Sequence, residues 1–252
     1  MDRALRALRA SVGRLHQLCR GLDDNQLNMR SYCSEWSVAD VLSHLGSGAV
    51  IWRRLLDDTL AGRPTPEGFA PSVWAQWDAK SPRAKADDGL VDDEGLLERL
   101  EGLDDEERAR AAVPLGPLRL SFDEAVGMRL NEHALHTWDV EVVFDQDAHL
   151  PEDAAAVVVD NLARIVGFRS HPAGAGRRIA VRTTHPARRF TLDLSPEGTQ
   201  LEVAEDVGEP DLELPAEAFC RLVYGRLDED HCPPLRAGDG VLDQLRQVFS
   251  GL

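Results

Sequence analysis

Glu132 and His136 stand four residues apart in Asn131-Glu132-His133-Ala134-Leu135-His136-Thr137-Trp138-Asp139, a run whose apolar residues otherwise recur at helical spacing. At 3.6 residues per turn the two side chains share one helix face, and Ala125, Met128, Val140 and Val143 continue that stripe, so both are expected to point inward. A buried carboxylate and a buried imidazole need a partner, and a divalent cation takes imidazole nitrogen and carboxylate oxygen together. The competing reading is a solvated acid and base pair, which is common at this spacing on exposed helix faces. His133 lies one position off the face and replaces His136 if the register is shifted.

Two ligands do not make a metal site. The best third is His44 in Val41-Leu42-Ser43-His44-Leu45, on a second helical pattern beside Val41, Gly48 and Ile51. Side chains from two facing helices can converge on one ion, and three protein ligands with a fourth position open make a catalytic arrangement. A histidine among apolar neighbours is also a common hydrogen-bonded core residue, so both readings of His44 stand at this level.

The elements that must position these groups follow from periodicity. Leu5, Leu8, Val12, Leu15 and Leu18 define an amphipathic helix over residues 2–22 that Gly21 closes. Ser37 and Asp40 form a capping box for a helix running to about Ala61. Residues 62–90, with Pro64, Pro66, Pro71 and Pro82, read as a long connection with at most short helical pieces. A third helix is expected from about Glu94 to Ala112, and the box Ser121-Phe122-Asp123-Glu124 opens the helix that carries Glu132 and His136. A fifth helix follows from Glu152 to about Phe168. Beyond Gly174 and Gly176 the period changes to two in residues 179–184, 189–194 and 200–204, which predicts an antiparallel meander. Helices are then expected from Pro215 to Tyr224 and from Gly240 to Phe249. The fold class is α+β, a helical domain of residues 1–168 followed by a small α+β domain of residues 169–252.

Composition narrows the function classes. The 252 residues are 43% hydrophobic and 29% charged, a soluble globular profile. The net charge of -16, from 44 acidic against 28 basic residues, argues against a nucleic-acid partner, because such binding rests on Lys and Arg displacing counterions. No apolar run is long enough for a membrane span and no secretion-signal pattern opens the chain, so a cytoplasmic location is expected. Cys19, Cys33, Cys220 and Cys232 lie far apart without a CxxC pair, which points to reduced thiols rather than a zinc ribbon or redox dithiol.

Trp36-Ser37-Val38-Ala39-Asp40-Val41-Leu42-Ser43-His44-Leu45, followed by Glu132-x3-His136-x-Trp138-Asp139, resembles the mycothiol-dependent maleylpyruvate isomerase family within the DinB-like metalloenzymes. The resemblance implies a DinB-like four-helix bundle joined to a small C-terminal α/β domain, with His44, Glu132 and His136 binding zinc or another divalent ion. It also implies an essential basic residue from the C-terminal domain. Leu222-Val223-Tyr224-Gly225-Arg226 resembles the segment that carries it, which maps the role to Arg226, with Arg221 as the fallback and a helix-end arginine as the structural alternative. Asp139 is either an outer partner that orients a ligand or a surface carboxylate, and Trp36 and Trp138 either line a cleft or pack.

Mycothiol is then the expected cosubstrate, its thiol bound to the ion as thiolate and attacking an electrophilic small molecule, as an isomerase or an S-transferase. Arg226 would hold a substrate carboxylate or the developing enolate. The alternatives are a non-catalytic small-molecule carrier and a hydrolase using metal-bound water.

Overall fold

The computed structural model describes residues 3–33, 35–116, 118–173 and 176–251. The chain divides into two compact units, Met1–Ala148 and His149–Leu252.

The first unit contains α1 (Arg3–Cys19), α2 (Asp24–Leu27), α3 (Val38–Leu60), α4 (Phe69–Asp78), α5 (Pro82–Glu101), α6 (Asp105–Arg110), the hairpin β1 (Ala112–Leu115) and β2 (Leu118–Ser121), and α7 (Phe122–Glu141). Helices α1, α3, α5 and α7 form the expected four-helix bundle, with α3 against α5, α1 against α7, and further contacts of α1 with α5 and of α3 with α7. The α1 stripe of Leu5, Leu8, Val12 and Leu15 is buried, as its spacing requires. Both expected capping boxes are present: Ser37 with Asp40 starts α3, and Ser121 with Glu124 starts α7. A third, Asp104 with Glu107, starts α6.

The stretch expected to be a long connection is largely helical. Pro71 lies in the first turn of α4 and Pro82 is the first residue of α5, behind the cap Ser81. Proline is tolerated there because first-turn N–H groups have no partner within the helix. The helix expected over 94–112 therefore starts twelve residues earlier and gives way at Gly102 to α6 and the hairpin.

Helices α3 and α5 meet through glycines. A Cβ on Gly46 would lie 2.6 Å from the Cα of Gly89, and a Cβ on Gly89 would lie 2.7 Å from the carbonyl oxygen of Leu42. Trp77 of α4, buried, closes over Gly46.

The second unit contains α8 (Glu152–Arg169), β3 (Arg177–Thr184), β4 (Arg188–Ser195), β5 (Gly198–Val203), β6 (Leu212–Pro215), α9 (Ala216–Val223), β7 (Arg236–Ala237) and α10 (Val241–Val248). Strands β3, β4 and β5 form the expected antiparallel meander, with Ile179, Val181, Phe190, Leu192, Leu194 and Leu201 on the buried face. Among the described residues the sheet has five strands in the order β5-β4-β3-β6-β7, and β6 joins β3 in parallel. Periodicity placed α8 in the first domain, whereas it packs on α9 and β5 and belongs to the second compact unit. No helix of the described residues is long and apolar enough to cross a membrane.

Because the Gly89 backbone and the buried indole of Trp77 together fill the space beside Gly46, Gly46→Ala must displace α5, Trp77 or both. The expected destabilisation is about 1–3 kcal/mol, the usual cost of overpacking, to be read from the denaturant midpoint at unchanged m-value.

Candidate metal centre

Helix α7 is buried on nearly every side, including Arg129, Asn131, His133, His136, Thr137 and Asp139. Every polar group on it therefore needs an assigned partner. Two such sets exist on adjacent faces.

The first is a buried charge cluster. The Asp93 carboxylate of α5 accepts from Arg129 Nη2 at 2.5 Å through Oδ1 and from His133 Nε2 at 2.5 Å through Oδ2. Arg129 Nη2 also donates to the carbonyl of Leu45 at 2.9 Å, and its Nη1 lies beside Gly48, where a Cβ would sit 3.1 Å away. His133 Nδ1 pairs with the hydroxyl of Ser11 at 2.8 Å. Burial opposes ionisation of Asp93, but His133 and Arg129 override it and hold the carboxyl well below the usual carboxylate range. His133 is thus fully engaged in the core, and the register that would have made it a ligand is not the one adopted.

The second set lies on the neighbouring face. His44 Nε2 of α3 is 3.5 Å from Glu132 Oε2, and His136 Nε2 is 3.7 Å from the same oxygen. The two imidazole rings meet edge to face with centroids 4.7 Å apart. The ligand atoms of His44, Glu132 and His136 all lie within 4.8 Å of one another. A tetrahedral ion with bonds of about 2.1 Å separates its ligands by roughly 3.4 Å, so the donor set fits a divalent cation with small adjustments. Side-chain exposure of 40% for His44 and 27% for Glu132, against 10% for His136, leaves the group reachable from one side.

The surroundings orient the ring of His136. Its Nδ1 donates to Asp139 Oδ2 at 2.7 Å, and Asp139 is fully buried. A carboxylate only accepts, so the ring proton sits on Nδ1 and the Nε2 lone pair faces Glu132 and His44. Asp139 is therefore not a surface carboxylate. Trp36 stacks on His136 at 5.8 Å and tilts over His44 at 5.0 Å, so it borders the group itself. Trp138 is a core residue, its indole N–H donating to the carbonyl of Ala148 at 2.8 Å.

Arg226 belongs to the second unit, just past α9, and is mostly buried. Its Nη1 donates to the carbonyl of Tyr224 at 2.8 Å. Arg221, the fallback, is held by Glu217 at 2.8 Å and donates to the carbonyls of Arg226 and His231.

Sequence reasoning missed Asp93, Arg129 and Cys33. A signal existed for Arg129, which with Ala125 and His133 marks a second i,i+4 row on α7. Cys33, whose Sγ donates to Asp139 Oδ2 at 3.1 Å, had none.

Residues 8–141 match the family model of the mycothiol maleylpyruvate isomerase N-terminal domain. A crystal structure of the mycothiol-dependent maleylpyruvate isomerase is similar with a TM-score of 0.66 at 15% identity, over 91% of each chain. That of a histidine-to-alanine mutant gives 0.65 at 15% identity, over 90% of each chain. At this identity the likeness is one of fold. No curated protein sequence matches the chain.

Asp93 is depressed in the folded state, so its ionisation stabilises the fold above its unfolded pKa of about 3.9, and that contribution drains away as pH falls toward the folded value. Asp93→Asn should cost about 3–5 kcal/mol at neutral pH, since it leaves Arg129 buried without its counter-charge. Denaturant midpoints measured downward from about pH 4 should fall less steeply in the variant than in the wild type.

Proposed function

The chain belongs to the mycothiol maleylpyruvate isomerase family and is an enzyme of that family; from that membership we propose that His44, Glu132 and His136 hold a divalent cation, zinc by donor chemistry, and that mycothiol is the thiol cosubstrate. The observation that carries the reading is the convergence of both imidazole Nε2 atoms on one Glu132 oxygen, with His136 Nδ1 already committed to Asp139. A cation held there would supply Lewis acidity that keeps a coordinating thiol deprotonated at neutral pH.

The chain's own residues supply the rest. Asp139 fixes the tautomer and ring orientation of His136. Trp36 covers the two imidazoles with an apolar face, which limits their rotation and the access of water on that side. Arg226 pairs with an anionic group of the substrate; this role rests on the family resemblance of Leu222–Arg226 and on the fit of a guanidinium to a carboxylate. Arg221, the fallback, is held by Glu217.

With maleylpyruvate as substrate, the thiol sulfur adds to one carbon of the cis double bond and the electron pair moves into the conjugated carbonyl. The resulting carbon–carbon single bond rotates. Return of the electron pair expels the sulfur, leaving the trans isomer with the thiol regenerated. An S-transferase shares the addition and retains the sulfur.

Protein purified without an affinity tag should hold about one divalent ion per chain. His44→Ala, at the more exposed position, should lose that ion with little effect on stability, whereas His133→Ala should keep it and unfold more easily; a wild type devoid of cation sinks the reading. Incubation with mycothiol and maleylpyruvate should consume the cis isomer at constant free thiol, and a stable thiol adduct would instead mark a transferase. Arg226→Ala should lower turnover by about 100-fold, the range for loss of one electrostatic stabiliser, with partial recovery in Arg226→Lys. An unchanged rate in Arg226→Ala would remove that residue from the mechanism.

A further inference from the structure

Cys33 lies in the segment between α2 and α3, and that segment meets Asp139, near the end of α7, through both backbone and side chain. The backbone N–H of Tyr32 donates to the carbonyl oxygen of Asp139 at 3.1 Å. The Cys33 thiol reaches the Asp139 side chain, donating to Oδ2 at 3.1 Å. The same Oδ2 accepts from His136 Nδ1 at 2.7 Å. Ser31 and Trp36 close the segment on itself, through Ser31 N–H to the Trp36 carbonyl at 2.9 Å and Trp36 N–H to the Cys33 carbonyl at 2.7 Å. The residue that stacks on the imidazoles and the residue that holds Asp139 therefore belong to one small turn.

Cys33, His136 and Asp139 also contain a set of donor atoms close enough for a cation of their own. Their contacts describe something else. Both contacts to Oδ2 are hydrogen-bond lengths and Asp139 is fully buried, so protons rather than an ion occupy the space between them.

We propose that Cys33 is a positioning residue of the metal centre: its thiol, by donating to Asp139 Oδ2, holds that carboxylate in the orientation that aims His136 Nε2 at the cation. The inference rests on the reading of His44, Glu132 and His136 as cation ligands. The imidazole and the thiol reach Oδ2 from two different elements, and together they restrain rotation of the carboxylate about its own bond.

Cobalt(II) is a suitable probe, because its visible absorption reports the ligand field independently of turnover. Metal-depleted wild type, Cys33→Ala and Cys33→Ser are titrated with cobalt, with unfolding midpoints recorded alongside. Loss of an outer partner of a ligating histidine weakens metal binding by about 10–100-fold; Cys33→Ala is expected near the lower limit with a displaced visible band, and Cys33→Ser, which restores a donor, close to wild type. In an Asp139→Asn background Cys33→Ala should add nothing, a comparison that tests the linkage even where the single variant is less stable. Wild-type affinity and spectrum in Cys33→Ala, equal weakening in the alanine and serine variants, or a full effect in the Asp139→Asn background would each overturn the inference while leaving the cation site intact. Wild type that binds no cobalt overturns the cation site and this inference together.

Discussion

A buried carboxylate that must stay ionised governs the first unit. Asp93 sits almost without solvent between Arg129 and His133, and leaving any one of the three unpaired would cost more than a typical core contact supplies. Arg129 and His133 are one turn apart on α7, so their shared obligation to Asp93 sets the rotation of that helix about its axis. Glu132 and His136 are also one turn apart, displaced by three residues from the first pair. At about 100° per residue the two rows lie roughly 60° apart. With one row turned to α5, the other must face α3 and the side from which the group is reached. Which histidine of α7 is available to a cation is thus decided by an aspartate on a different helix.

The two sets differ in how they treat water. The Asp93 cluster is closed, its charges neutralised internally. The His44, Glu132 and His136 group is graded, with His136 nearly covered and His44 and Glu132 open. That grading suits a family whose chemistry brings a small thiol and a small electrophile together. The covered imidazole is the one with the most external support, from Trp36 and from Asp139, which Cys33 also holds. His44 and Glu132, on the open side, have more room to adjust.

Much of this was legible because local signals carried it. Capping boxes at Ser37 and Ser121 mark helix starts through side chain and backbone pairing within four residues, and i,i+4 spacing places Glu132 with His136 without reference to any other element. The meander was legible from alternation. What stayed hidden depends on contacts distant in sequence. Asp93 belongs to a run of acids, Asp87, Asp88, Asp92, Asp93 and Glu94, that reads as a solvated face, and only the approach of α7 singles it out. Pro71 and Pro82 look like breaks until their first-turn positions are known. Strand β6 is four residues long and pairs in parallel with β3, so no hairpin turn joins it to its partner. The allegiance of α8 is likewise a matter of what its apolar face meets.

The glycine contact between α3 and α5 gives the centre a fixed measure. Gly46 and His44 are two residues apart and so lie on nearly opposite sides of α3, while Gly89 and Asp93 are one turn apart on the same side of α5. On one side α3 rests backbone to backbone on α5; on the other it presents a candidate ligand. The helix itself acts as a spacer with no rotamers, so the depth of His44 is defined by the thickness of a polypeptide helix rather than by how side chains repack. Substitutions in the surrounding apolar core can therefore accumulate, altering stability and packing, without changing the offset between His44 and the α5 backbone.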